Sequence, residues 1–142
     1  RTQFSSQEEH DNLLFSNYKK IITKRDIVWF LGDMIFDSMR LPILGELPGR
    51  KILVAGNHDI SLDIIINSGV FSNVLAFGMY KNYWVSHPPV HESELRNKKN
   101  IHGHTHFSRV MSPLGFEDTR YINVCPEQHN YFPVDFEVIK KK

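Results

Sequence analysis

The chain has 142 residues, 41% hydrophobic and 23% charged, enough to bury one core and too ordered in composition for a disordered segment. Seventeen Lys and Arg against sixteen Asp and Glu leave a formal charge of +1, which gives no electrostatic case for a general nucleic-acid or membrane-surface binder. The single cysteine, Cys125, excludes an internal disulfide framework and a four-cysteine zinc site, and no apolar run approaches the roughly 18 residues of a membrane helix.

Ser5 and Ser6 precede Glu8 and Glu9 at capping-box spacing, and Leu13, Leu14, Tyr18, Ile21 and Ile22 recur at helical spacing. A helix is predicted over 6–24. Asp26 to Leu31 is nearly all apolar, as in a strand buried on both faces, and ends in Gly32-Asp33. A second helix falls within 37–47, broken by Pro48-Gly49. Lys51 to Ala55 is a second buried strand, ending in Gly56-Asn57-His58-Asp59, and a short helix follows near 61–67. Beyond Gly69 the pattern turns to short strands: 74–77, 80–86, 100–102, 121–124 and 134–139, with Lys81-Asn82 as a hairpin turn. The order predicts a single α/β layered domain over 1–142, with polar residues gathered at strand ends, where open α/β sheets build their sites.

Four clusters carry the chemistry: Gly32-Asp33, Gly56-Asn57-His58-Asp59, Ser86-His87-Pro88-Pro89 and Gly103-His104-Thr105-His106, each after an apolar run. Taken singly, each has a plain structural reading: a turn, a helix N-cap, a rigid loop, a chance His pair. Taken together they supply a carboxylate, an amide oxygen and several imidazoles. That set suits Mn²⁺, Fe²⁺, Ni²⁺ or Zn²⁺ better than Ca²⁺ or a thiolate-bound metal. Glycine beside each ligand lets the backbone turn sharply, and His104-x-His106 puts two imidazoles on one side.

The series GD…GNHD…H…GHTH, running from about Asp26 to His106, resembles the calcineurin-like metallophosphoesterases. Asn123-Val124-Cys125 and Asn130-Tyr131-Phe132-Pro133-Val134 are similar to the tail of small single-domain bacterial and phage members. The resemblance implies a four-layer αββα sandwich and two divalent metal ions, Mn²⁺ foremost. It implies that Asp33 bridges both metals, that Asn57, His87 and His104 complete one, that His106 binds the other, and that His58 is the catalytic histidine. Ions roughly 3.5–4 Å apart share a water of lowered pKa that attacks phosphorus, and a histidine such as His58 adds about 10²–10⁴-fold by proton transfer or charge stabilisation.

The family's opening strand ends in Asp-x-His, and no such motif precedes Asp33. The nearest match, Glu8-x-His10, falls in the first predicted helix and reads as a solvated face. The chain begins Arg1-Thr2-Gln3-Phe4, without an initiator Met or a signal-peptide pattern, and resembles the Arg-x-x-Phe segment that follows the first loop in small members. The expectation is therefore a cytoplasmic protein that lacks the first strand here. Met34 to Asp37 departs from the GDxxDRG continuation of protein phosphatases. The implied substrate is a small phosphomonoester or phosphodiester such as a nucleotide or cyclic nucleotide, with neither long nucleic acid nor membrane as partner. A catalytically weakened binding module is the alternative. Cys125, Trp29, Trp84, His91, His102 and His129 read as packing or surface residues, while Tyr131 could line the pocket.

Overall fold

The structure, a computed structural model, describes residues 7–32, 40–56, 61–105 and 108–141. Side-chain alternation along the first strand explains how the layers form. In β1 (Ile27–Phe30), Val28 and Phe30 face one way, while Trp29 and the following Leu31 face the other. Val28 and Phe30 meet Tyr18 of α1 (Gln7–Ile21), Leu41 and Leu44 of α2 (Arg40–Glu46), and the cluster that includes Ile65 of α3 (Leu62–Ser68). Trp29 meets the Tyr80 ring at 6.0 Å, and Leu31 packs with Ile101, Ile122 and Ile139. The segment thus contributes to apolar packing on both sides, but it is not the fully buried strand its sequence suggests: Phe30 is buried, Val28 and Trp29 are half-buried and Ile27 is exposed.

β1 pairs in parallel with β2 (Arg50–Val54), and β2 in parallel with β3 (Asn73–Leu75). The second sheet has the order β4 (Gly78–Tyr80), β5 (Tyr83–Ser86), β6 (Lys99–His102) and β7 (Tyr121–Asn123); β4 and β5 are antiparallel, the rest parallel. The described residues form a mixed α/β fold with two sheets and four α-helices. No helix among them is long and apolar enough to cross a membrane.

Most predicted elements are present with shifted ends. The first helix stops at Ile21, because the Asp26 carboxylate accepts the Thr23 backbone N–H at 2.7 Å and folds residues 23–26 into a turn. Tyr80 to Ser86 is two strands. Lys81 and Asn82, at φ +45° and +71°, adopt the consecutive left-handed pair of a tight hairpin turn. Residues 134–139 correct the prediction outright. Val134, Phe136 and Val138 alternate like a strand, yet Phe136–Ile139 is helix α4. The Asp135 carboxylate caps it by accepting the Glu137 N–H at 2.9 Å, and burial of Ile139 with Phe136 rewards the i, i+3 spacing.

Candidate metal centre

Four strands deliver their C-terminal ends to one place. Gly32 follows β1, Gly56 follows β2, His87 follows β5, and Gly103-His104 follows β6. Gly32 sits at φ +87°. A Cβ there would stand 2.6 Å from the Gly56 Cα and N and 2.6 Å from His87 Nδ1. Only glycine permits this approach, which brings the backbone just ahead of Asp33 against the backbone just ahead of Asn57. Gly103 closes the group: its N–H donates to the His87 carbonyl at 2.9 Å, and its Cα hydrogen faces the Leu31 carbonyl.

His87 and His104 meet here. The buried His87 places Nδ1 2.6 Å from the Leu31 carbonyl oxygen, which can only accept, so Nδ1 carries the proton. Nε2 then presents its lone pair, and His104 Nδ1 lies 2.9 Å from it, with ring centroids 4.6 Å apart. A carbonyl fixing the far nitrogen is how proteins orient a metal-binding imidazole. Two nitrogens bound at right angles, each about 2.1 Å from one ion, stand about 3 Å apart. The 2.9 Å contact is a hydrogen bond between the two rings, and the same spacing suits two imidazoles on one divalent cation. His104, at φ +67°, is exposed, so the pair opens to solvent.

Of the other residues assigned from sequence, Asp33, Asn57, His58 and His106 lie outside the described residues. Among those described, no group of three or more His, Cys, Asp or Glu side chains is arranged to hold a metal.

Two asparagines that sequence reasoning passed over hold the loops in place. The fully buried Asn100 donates to the Trp84 carbonyl, Ser86 Oγ and the Ile101 carbonyl at 3.0–3.2 Å, and accepts the Val90 N–H at 2.9 Å. It fastens the His87 loop to β6. Asn123 donates to Thr105 Oγ1 at 2.9 Å and to the Ser108 carbonyl at 3.2 Å, gripping the turn that carries His104. The available signal was an amide inside an apolar strand, where it must find partners.

His10 reverses the sequence reading: it is buried, not part of a solvated face, and its ring meets the Tyr131 ring edge-on at 5.8 Å. His102 is buried against Gly103 and Tyr121, and burial holds its pKa below the ordinary histidine value. His91 caps a short turn, and His129 donates to the Asn123 carbonyl at 2.8 Å. Cys125 is buried and unbridged, as expected of packing. Trp29 and Trp84 are half-buried.

A cavity of about 740 Å³ runs along the side of β1 away from β2, between α1 and the second sheet. Val28 to Leu31, Val85, Ile101 and Phe136 line its apolar length, and His87 and His104 border it.

No family model matches the chain. It is 29% identical to the uncharacterized protein MJ1445 of Methanocaldococcus jannaschii over 143 residues, covering 97% of this chain and 77% of that one. The crystal structure of a protein of unknown function, AQ665 of Aquifex aeolicus, superposes with a TM-score of 0.74 at 24% identity, covering 99% of this chain and 88% of that one, and so shares the fold. The Gene 66 protein of Mycobacterium phage D29 is 32% identical over 162 residues, covering 89% of this chain and 80% of that protein. At that identity and coverage, the chain belongs to the same family as the phage Gene 66 protein.

Proposed function

We propose that this protein is a metal-dependent phosphoesterase of the calcineurin-like kind, hydrolysing a small phosphomonoester or phosphodiester. One observation carries the reading. His87 offers an Nε2 lone pair 2.9 Å from His104 Nδ1, at the point where the glycines preceding Asp33 and Asn57 touch. The described members of four motifs, Gly32, Gly56, His87 and Gly103-His104, meet at one strand-end rim, which supports the reading.

His87 and His104 would hold one divalent ion together with Asp33 and the neutral Asn57, and Asp33 and His106 would help hold a second. Bound metals would neutralise phosphoryl charge and make a nucleophile available at neutral pH. The chain's own residues supply the rest. The Leu31 carbonyl keeps His87 in one tautomer, Asn100 and Asn123 hold both histidine loops, and His58 donates a proton to the departing alkoxide.

In finer architectural terms we read the two sheets and their helices as a four-layer sandwich. In that arrangement a strand ending Asp-x-His pairs beside the one ending Gly-Asp. The side of β1 away from β2 carries no strand among the described residues, and an apolar cavity lies along it.

The test is Mn²⁺-dependent hydrolysis of p-nitrophenyl phosphate and bis-p-nitrophenyl phosphate. It would be run on this chain and on a form carrying an Asp-x-His strand ahead of Arg1. Turnover of one ester, at least about 10²-fold lower in His58→Ala with metal still bound, is the expected result. Metal binding without turnover in either form would favour a binding module instead.

A further inference from the structure

The cavity that the two histidines border also has Tyr131 in its lining. Asn130 and Tyr131 are consecutive non-glycine residues at φ +53° and +62°, as are Lys81-Asn82 and Arg96-Asn97 in plain turns. What distinguishes the Asn130-Tyr131 turn is a long-range tie: the buried Asn17 of α1 donates its amide to the Tyr131 carbonyl at 3.0 Å and the Asn130 carbonyl at 3.4 Å, across more than a hundred residues of sequence, and the Tyr131 N–H donates to the Pro126 carbonyl at 2.9 Å.

Asn123 pairs with His102 at the end of β7, and the Val124 N–H donates to the His102 carbonyl. Further along that segment, Tyr131 lines the same cavity as Gly103 and His104. Tyr131, His10, His87 and His104 border one cavity, and the Tyr131 ring is braced edge-on by His10.

We infer that Tyr131, positioned by Asn17, is the specificity-determining residue for the organic group of the phosphoester, and that it selects a planar aromatic group, a nucleobase or aryl ring. This rests on the phosphoesterase reading. It extends that reading by giving the substrate a second point of contact: phosphate at the histidines, aromatic ring on Tyr131. An aromatic ring clamped in one orientation offers stacking area at little entropic cost.

The experiment uses Mn²⁺-loaded protein and the variants Tyr131→Ala, Tyr131→Phe and Asn17→Ala. The kinetic arm compares kcat/KM for p-nitrophenyl phosphate with that for glycerol phosphate. Tyr131→Ala is expected to lower the aryl preference about tenfold, mostly through KM, and Tyr131→Phe to retain most of it, the size of one aromatic stacking contact. The binding arm titrates 5′-AMP and inorganic phosphate by calorimetry, so it reads the contact whether or not the protein turns over. Wild type binding AMP more tightly than phosphate, with the difference lost in Tyr131→Ala, supports the inference even if no ester is cleaved; that pattern, with no turnover in the form carrying an Asp-x-His strand either, would remove the phosphoesterase reading alone. An unchanged AMP-to-phosphate ratio in Tyr131→Ala, or equal binding of the two in wild type, overturns it. Turnover with full aryl preference in Tyr131→Ala overturns it while leaving the phosphoesterase reading intact. Asn17→Ala, if folded, should reproduce the Tyr131→Ala loss; if it unfolds, the Tyr131 variants decide alone.

Discussion

Glycine at position 32 is the most constrained residue of the site. Its positive φ is one demand; the contact with the Gly56 backbone is another, and only the second concerns the site. Gly69 separates the two effects, since it also has a positive φ, +71°, with nothing within 4 Å of an added Cβ. Gly69→Ala should lose only the backbone strain, about 1 kcal/mol or slightly more. Gly32→Ala should lose more, about 2–4 kcal/mol, as the strands below Asp33 and Asn57 are pushed apart, and should weaken Mn²⁺ binding as well. Urea denaturation and a metal titration of both variants check this. Equal costs, with metal affinity unchanged, would mean that the Gly32–Gly56 contact has no part in the site. The glycines were visible in the sequence as companions of each candidate ligand, but their contact joins positions 24 residues apart and needed the sheet to reveal it.

At the level of elements, the attachment of α1 to β1 is open to a pH test. Tyr18 stacks on Phe30 at 6.2 Å and donates its hydroxyl to the Pro48 carbonyl. Burial first, and then the Asp26 charge, push its pKa up to about 12. An unfolded tyrosine releases its proton near pH 10. Between about pH 10 and 12 the unfolded chain therefore holds fewer protons than the folded one, and stability falls as pH rises through that window. Urea midpoints across pH 9–12 should drop less steeply in Tyr18→Phe than in wild type; parallel profiles would detach Tyr18 from the effect. The strands and first helices were legible because their patterns are local: an apolar run for β1, the apolar Ile52 to Val54 within β2, a 3.6-residue stripe for α1. The stripe misled in detail, since Ile21 is exposed while His10 and Asn17 are buried. Those two positions are fixed by contacts with Tyr131 and Asn130, more than a hundred residues away, which no local pattern encodes. The strand predicted at 134–139 failed for a related reason: four residues are too few for a period to show, and the Asp135 cap decided the outcome.

Across the whole molecule, two parallel-strand units end at a common rim, and the candidate chemistry lies there. The sequence could be read that far because its four His-, Asp- and Asn-bearing motifs are short and each follows an apolar, strand-like run. The His87–Leu31 hydrogen bond, the Asn100 and Asn123 braces and the clamped Tyr131 turn were not legible, because each joins segments distant in sequence. In the proposed site His87 and His104 act together on one metal ion. Calorimetric titration of Mn²⁺ into wild type, His87→Ala, His104→Ala and, as a control, the exposed turn-capping His91→Ala tests this. Wild type and His91→Ala are expected to bind, and the other two to bind at least about tenfold more weakly. Equal affinity in all four proteins, or no binding in wild type, would refute the pairing.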